Sequence, residues 1–279
     1  MTDAAAAETV TVIQPQSGWL PINSRELWHY RELLYFLIVR DLKVKYKQTY
    51  IGVAWAILQP LVSTVVFTLF FGRLAKLPSD GLPYEVFALI ALIPWTYFAT
   101  ALNYSSVSLV GNANLLSKIY FPRLLLPAGA ALAALIDLAI GTAFLGAAMA
   151  FYGIAPTWRA LWLLPFTGVA IATALGCGLF FASVNVKYRD VQYTIPFLTQ
   201  VWMFLTPVVY PASLVPESLR WLYGLNPLVA VIEGWRWALA DKPFPSAPMM
   251  VVSILVAGAM LVGGAYYFRR AEREFADVV

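Results

Sequence analysis

Apolar residues along this 279-residue chain gather into long runs separated by short polar stretches. A helix needs about 20 apolar residues to cross the hydrocarbon core of a bilayer. Six runs approach that length, at about 51–71, 86–109, 124–152, 160–186, 191–210 and 249–268. They predict six spans. Pro94 lies inside the second, Asp137 inside the third, and Pro196 and Pro207 inside the fifth. Proline is tolerated there where neighbours satisfy the carbonyls it frees. Ahead of the first span the pattern changes. Residues 1–22 form a loose tail rich in Ala, Thr and Gln. Asn23 and Glu26 have the spacing of a capping box. From 25 to 48, polar positions recur at steps of three, four and eight opposite Leu27, Tyr30, Leu34, Leu37, Ile38 and Val44. The apolar run 33–39 is too short to span. The pattern predicts an amphipathic helix over 23–48 lying at the membrane interface; packing on a soluble partner is the alternative.

Composition sharpens this reading. The chain is 61% hydrophobic and 12% charged, against about 45–50% and 25% for a soluble domain. A soluble enzyme, a disordered chain and a fibrous protein are excluded. The one histidine, His29, argues against a His-based zinc site or a Ser-His-Asp triad within the membrane, and the one cysteine, Cys177, excludes an internal disulfide. The first ten residues have neither the basic nor the apolar segment of a cleaved signal.

Charge sets a topology. With the N-terminus inside, the inner segments carry 13 of the 19 Lys and Arg residues and the outer segments six. The positive-inside rule then places both termini in the cytoplasm. The predicted domains are the tail, the interface helix, a six-span unit over 49–268, and a cytoplasmic tail over 269–279.

Two connections stand out. Residues 206–248 hold seven prolines and apolar pieces of about ten residues, too short to cross. They predict a re-entrant hairpin facing outside, with an amphipathic surface loop as the alternative. The inner loop 111–123, GNANLLSKIYFPR, predicts a short amphipathic helix stopped by Pro122. Such a helix either seats in a groove of a soluble partner or simply connects two spans. The inner turn 187–190 reads as a topology signal.

Asp137, the one acid deep in a predicted span, marks either a transport pathway or a buried structural pair. Glu233 and Arg236 have the spacing of a structural helical pair. Trp95, Tyr97, Tyr104, Trp202 and Phe204 fill interface belts and core; as a set they would suit a channel on which sugar rings stack. No Walker A motif is present, so this chain does not bind ATP through a P-loop.

Four segments together, RELLYFLIVRDLKVKYKQTYIGVAWAILQP (31–60), NANLLSKIYFPR (112–123), VKYRDV (186–191) and TPVVYP with NPL (206–211, 226–228), resemble the permease subunits of bacterial ABC-type polysaccharide exporters. The resemblance covers about 25–268 and implies an all-α membrane protein of six transmembrane helices in the inner membrane. It further implies an N-terminal interface helix and re-entrant periplasmic helices, at about 208–240, before the last span. It implies a homodimer that binds two copies of a separate ATPase and exports lipid-linked polysaccharide such as O-antigen, for lipopolysaccharide biosynthesis. The chain itself would be non-catalytic and hold no cofactor; ATP and Mg would bind the ATPase.

By position, Asn112, Asn114, Lys118, Tyr120, Pro122 and Arg123 would couple to the ATPase. Arg31, Arg40, Lys43, Lys45 and Lys47 would lie between ATPase and anionic headgroups, and Pro207, Tyr210, Pro211, Asn226 and Pro227 would form the outer gate. The alternatives are an ABC permease for drugs or small lipids, and an ion-coupled transporter using Asp137.

Overall fold

A computed structural model describes residues 24–47, 52–116, 118, 120–272 and 275. The expected tail 1–22, Asn23 of the capping box and most of 273–279 lie outside the described residues. Among those described, the secondary structure is helical with no strand. The elements are α1 (Ser24–His29), α2 (Arg31–Tyr46), α3 (Trp55–Phe67), α4 (Tyr84–Gly111), α5 (Ala113–Leu116), α6 (Leu125–Ala133) and α7 (Leu135–Phe151). Then come α8 (Leu163–Lys187), α9 (Val191–Phe204), α10 (Arg220–Tyr223), α11 (Pro227–Ala240) and α12 (Ala247–Ala271).

Five stretches are long and apolar enough to cross a membrane: Trp55–Leu74, Tyr84–Gly111, Leu125–Phe151, Trp158–Lys187 and Ala247–Ala271. They coincide with five of the six predicted spans. The expected fifth span, 191–210, is not one continuous helix. Its helix, α9, has 14 residues, about 21 Å at 1.5 Å per residue, against a core about 30 Å thick. Pro207 is the physical reason. It cannot donate to Met203, and it pushes Thr206 out of the helical region. The last turn tightens instead, Thr206 N–H donating to the Met203 carbonyl at 3.2 Å.

α4 is the central post. Of its apolar stretch 78% is buried inside the chain, against 17% for α3 and its continuation. It packs on α8, α6, α7, α3 and α11. α3 ends in a wide π-helical segment, Thr68–Leu74, where Gly72 lies against the Tyr84 ring. Leu58, Leu61, Val62, Val65, Leu69 and Phe70 on this helix are exposed on the single chain. Such a face needs an apolar surround.

α8 and α12 touch backbone to backbone. A Cβ on Gly264 would stand 2.0 Å from the Gly176 carbonyl oxygen, and one on Gly176 would stand 2.5 Å from the Met260 backbone. In an apolar medium, close approach of small residues supplies the packing that the hydrophobic effect cannot. Gly263, one residue away, faces open space.

Replacing Gly264 with Leu should therefore unseat α12. Overpacking costs about 1–3 kcal/mol in a well-packed site, and here the obstruction is backbone. Thermal melts in detergent should show a lower Tm and a poor yield for Gly264→Leu, with Gly263→Leu close to the parent. Equal melts for the two would refute the seam.

Candidate coupling and gating sites

The bundle has two poles. At one, α2, the ends of α4, α8 and α12, and the segment 111–123 share a second hydrophobic cluster of Leu37, Leu109, Phe121, Leu125, Val186, Phe268 and Phe275. At the other, the 75–83 loop, 152–162 and 206–248 meet the main core.

At the first pole, α2 runs beside α6 in the same direction. Leu34 and Leu37 flank Gly129, and eight residues on, Lys45 and Tyr46 bond the carboxylate of Asp137. Matching steps of eight residues on both helices fix that register. Asp137 is thereby in a pair: its side chain is 11% exposed, with an ammonium on one oxygen and a phenol on the other. Burial, then the Asp137 carboxylate, raise the Tyr46 phenol well above its ordinary range. Of the two readings of Asp137, this geometry is the structural pair. It also changes the expected interface helix. Lys45 faces inward, while Arg31, Lys43 and Lys47 are exposed.

Arg40 turns to the 111–123 loop. Its Nη1 donates to Asn112 Oδ1 at 2.8 Å, and its Nε and Nη2 reach Asp41 at 3.0 and 2.8 Å. Asn112 in turn donates to the Ser108 carbonyl at 2.7 Å, closing α4. Beside them lies a cavity of about 260 Å³ bordered by Arg40, Lys45, Tyr104, Asn112 and Asp137. The Lys45 ammonium sits 5.8 Å from the Tyr104 ring centre.

The expected coupling residues divide in two. Asn114, Lys118 and Tyr120 are exposed, whereas Pro122 is buried and Asn112 and Arg123 are half-buried. The helix among them, α5, is only four residues long; residues 117 and 119 lie outside the described set. Arg123 points into its own chain, donating to the Glu272 carbonyl at 3.1 Å and lying 5.9 Å from the Phe275 ring centre.

At the second pole, four side chains hold the stretch after α9. Asn226 Nδ2 donates to the Leu205 carbonyl at 3.2 Å and to the Thr206 hydroxyl at 2.8 Å. Tyr84 donates to the Val209 carbonyl at 2.6 Å. Arg236 reaches the Val208 carbonyl at 3.1 Å and the Tyr210 carbonyl at 3.5 Å. It pairs with Glu233 at 2.7 Å and lies 3.6 Å over the Phe87 ring. Tyr223 donates to the Tyr210 hydroxyl at 3.1 Å. Asn226 also caps α11, its Oδ1 accepting from Leu228 N–H at 3.1 Å and from Trp202 Nε1 at 3.1 Å, with Pro227 at the first helical position.

Thus Tyr210 and Asn226 belong to one network, and Pro207, Pro211 and Pro227 are buried around it. Arg236 and Tyr84, its other anchors, were not among the expected gate residues. The seven prolines were the available signal, because every break they impose must find donors elsewhere. Of the expected channel aromatics, Trp95 and Tyr97 are 6% and 1% exposed and belong to the core of the single chain. Trp202 stacks edge-on against Phe98 at 5.0 Å. Tyr104 and Phe204 are exposed.

No cluster of three or more His, Cys, Asp or Glu residues able to hold a metal occurs among the described residues.

Comparison with known proteins follows the same outline. The profile of the ABC-2 type transporter family matches residues 32–240. An O-antigen export system permease protein RfbA of Myxococcus xanthus is 28% identical over 91% of this chain and 98% of its own length. RfbA of Klebsiella pneumoniae is 26% identical over 89% and 95%. The polysialic acid transport protein KpsM of Escherichia coli is 27% identical over 85% and 92%.

Two outcomes are expected. Asp137→Asn should leave Lys45 without its counter-charge, lower the Tm by several degrees and speed proteolysis within α2. The paired change Lys45→Met with Asp137→Leu should restore much of the loss, since an apolar pair can replace a buried ion pair. Arg236→Ala strands Glu233 and two carbonyls; removing one partner of a buried pair costs about 3–5 kcal/mol, enough to abolish a cooperative melt.

Proposed function

The chain belongs to the ABC-2 type transporter family, and we propose that it is the transmembrane permease subunit of an ATP-driven exporter of lipid-linked polysaccharide. One observation carries the reading: relatives named for O-antigen export and polysialic acid transport align with it over nearly their whole lengths. In this reading the subunit sits in the bacterial inner membrane with both termini inside. α9 and the pinned stretch to Tyr210 make the sixth crossing, fifth in chain order. The hairpin through α10 and α11 is the re-entrant outer gate. Two copies associate through apolar faces such as that of α3 and bind two copies of a separate ATPase, which holds ATP and Mg.

The mechanism follows from how load travels. The exposed Asn114, Lys118 and Tyr120 offer the ATPase a handle at the inner pole. Two links carry its movement inward. Asn112 is bonded to Arg40 on α2, and Phe121 is packed in the second hydrophobic cluster. Arg123 ties the same segment to the end of α12. A push on the loop would therefore displace α2 and α12 together. The exposed cations of α2 would attract the anionic lipid end of the substrate, and the sugar chain would pass over exposed aromatics through weak stacking. Weak holding is needed, since a tightly bound polymer could not move on.

The test is co-expression with the neighbouring P-loop ATPase, followed by pull-down in detergent. Lys118→Glu with Tyr120→Ala should cut recovery of the ATPase at least tenfold while leaving the melt of this chain unchanged. Transport driven by an ion gradient alone, with no ATPase recovered, would overturn the reading.

A further inference from the structure

The outer pole holds a second cavity, of about 490 Å³, within the range of ligand pockets. Its wall comes from separate parts of the chain: Asp80 in the 75–83 loop, Phe87 on α4, Ser213 beyond α9, Arg220 on α10, the Glu233–Trp237 face of α11, and the stretch from Lys242 into the start of α12. These parts are fastened to one another. Ser213 Oγ donates to Asp80 Oδ1 at 3.0 Å, and the Lys242 ammonium bonds the Asp80 carbonyl. Arg159 closes the rim outside, 2.8 Å from Asp241 and 5.6 Å from the Trp237 ring centre.

The cavity combines three kinds of group. Trp237 and Phe244 form an aromatic corner, rings at 5.2 Å and 90°. Asp80 and Glu233 are acceptors; Glu233 engages both Arg236 and the Ala212 N–H through one oxygen, Oε1. Arg220, Arg236 and Lys242 are cations; Arg220 pairs with Glu217 at 3.5 Å and Arg236 with Glu233 at 2.7 Å, whereas the Lys242 ammonium is bonded to a carbonyl. Arg236, 4% exposed, has an Nε with no hydrogen-bond partner among the described residues. That atom is enclosed by the chain, so toward a molecule in the cavity it offers charge and not a hydrogen bond.

We propose that this cavity is a binding site for a hexose unit that carries an anionic group, a carboxylate or a phosphate. Trp237 and Phe244 offer π faces to the apolar C–H side of the ring, as aromatic side chains offer them to other apolar groups. Asp80 and Glu233 accept from its hydroxyls. The Lys242 ammonium, bonded to a carbonyl and not to a carboxylate, takes the anionic oxygen. The proposal extends the polysaccharide reading: a unit of the emerging chain would pause here, on the outer side of the pinned hairpin.

The experiment is saturation-transfer NMR on the purified full chain in nanodiscs, with glucuronate, glucose 6-phosphate and glucose as probes. At least one anionic sugar should bind at least tenfold more tightly than glucose; the two anionic arms tell carboxylate from phosphate. Lys242→Ala and Phe244→Ala, both outside the five long helices, should each weaken that binding at least tenfold with an unchanged melt. Absence of binding by every probe, equal binding of glucose, or indifference to both substitutions would overturn the site. The assay needs no ATPase. If the ATPase co-purifies and surface polysaccharide is restored while no hexose binds, the site fails and the transporter reading stands. If hexose binds but no ATPase is recovered, the reverse holds.

Discussion

A carbonyl freed inside an apolar body must find a donor in the protein, because lipid offers none. That constraint organises the second pole, around the stretch after α9. Proline ends α9 early, and the next six residues run as turns among buried side chains. The carbonyls of Leu205, Val208, Val209 and Tyr210 are each met by a side chain from a distant segment. Those donors in turn decide where α11 can lie. Arg236 must face the stretch after α9, so Glu233, one turn earlier, faces it as well. Asn226 must reach back to Thr206, so α11 starts where its cap is already committed. Ser253 on α12 completes the arrangement by donating to the Gly224 and Asn226 carbonyls at 2.9 and 3.0 Å.

Packing divides the chain into a body and its margins. α4, α8, α11 and α12 bury one another, and the glycine seam leaves α12 almost no room to slide on α8. α3 and α9 are different. Each touches the body along one side and exposes apolar residues on the other, such as Val62 and Val65 on α3 and Phe197 and Val201 on α9. Elements with few buried contacts are those whose position costs least to change. A transporter that opens without losing its fold is best built in this way, with movement confined to margins around a fixed seam.

Much of this was legible in the sequence, because five of the spans depend on a sum of apolar residues and little else. The fifth run failed the same test for a clear reason. Hydropathy adds residues without asking whether the helix continues, and Pro207 interrupts it while leaving the apolar total unchanged. Tertiary polar links were harder to read. Lys45 and Asp137 are 92 positions apart, and no local period connects them. Only the cost of an isolated intramembrane acid hinted that a partner existed. Arg123 sits in a segment whose neighbours are exposed, so its position suggested a partner outside. Its actual partners, Glu272 and Phe275, lie at the far end of the sequence.

The Lys45–Asp137 pair bears on how the two poles communicate. An interface helix held only by its apolar stripe could slide along α6 under load. Leu34 and Leu37 against Gly129 provide such a stripe and little resistance to a small shift. Two polar bonds to one carboxylate fix the end of α2 to the start of α7, and Arg40 fixes its middle to Asn112. α2 is then a strut with attachments to two different membrane helices. Force applied at the 111–123 loop would enter α2 at Arg40 and leave it at Asp137, well along the third span. The Asp137 carboxylate is thereby a joint between α2 and α7, held by one bond on each oxygen.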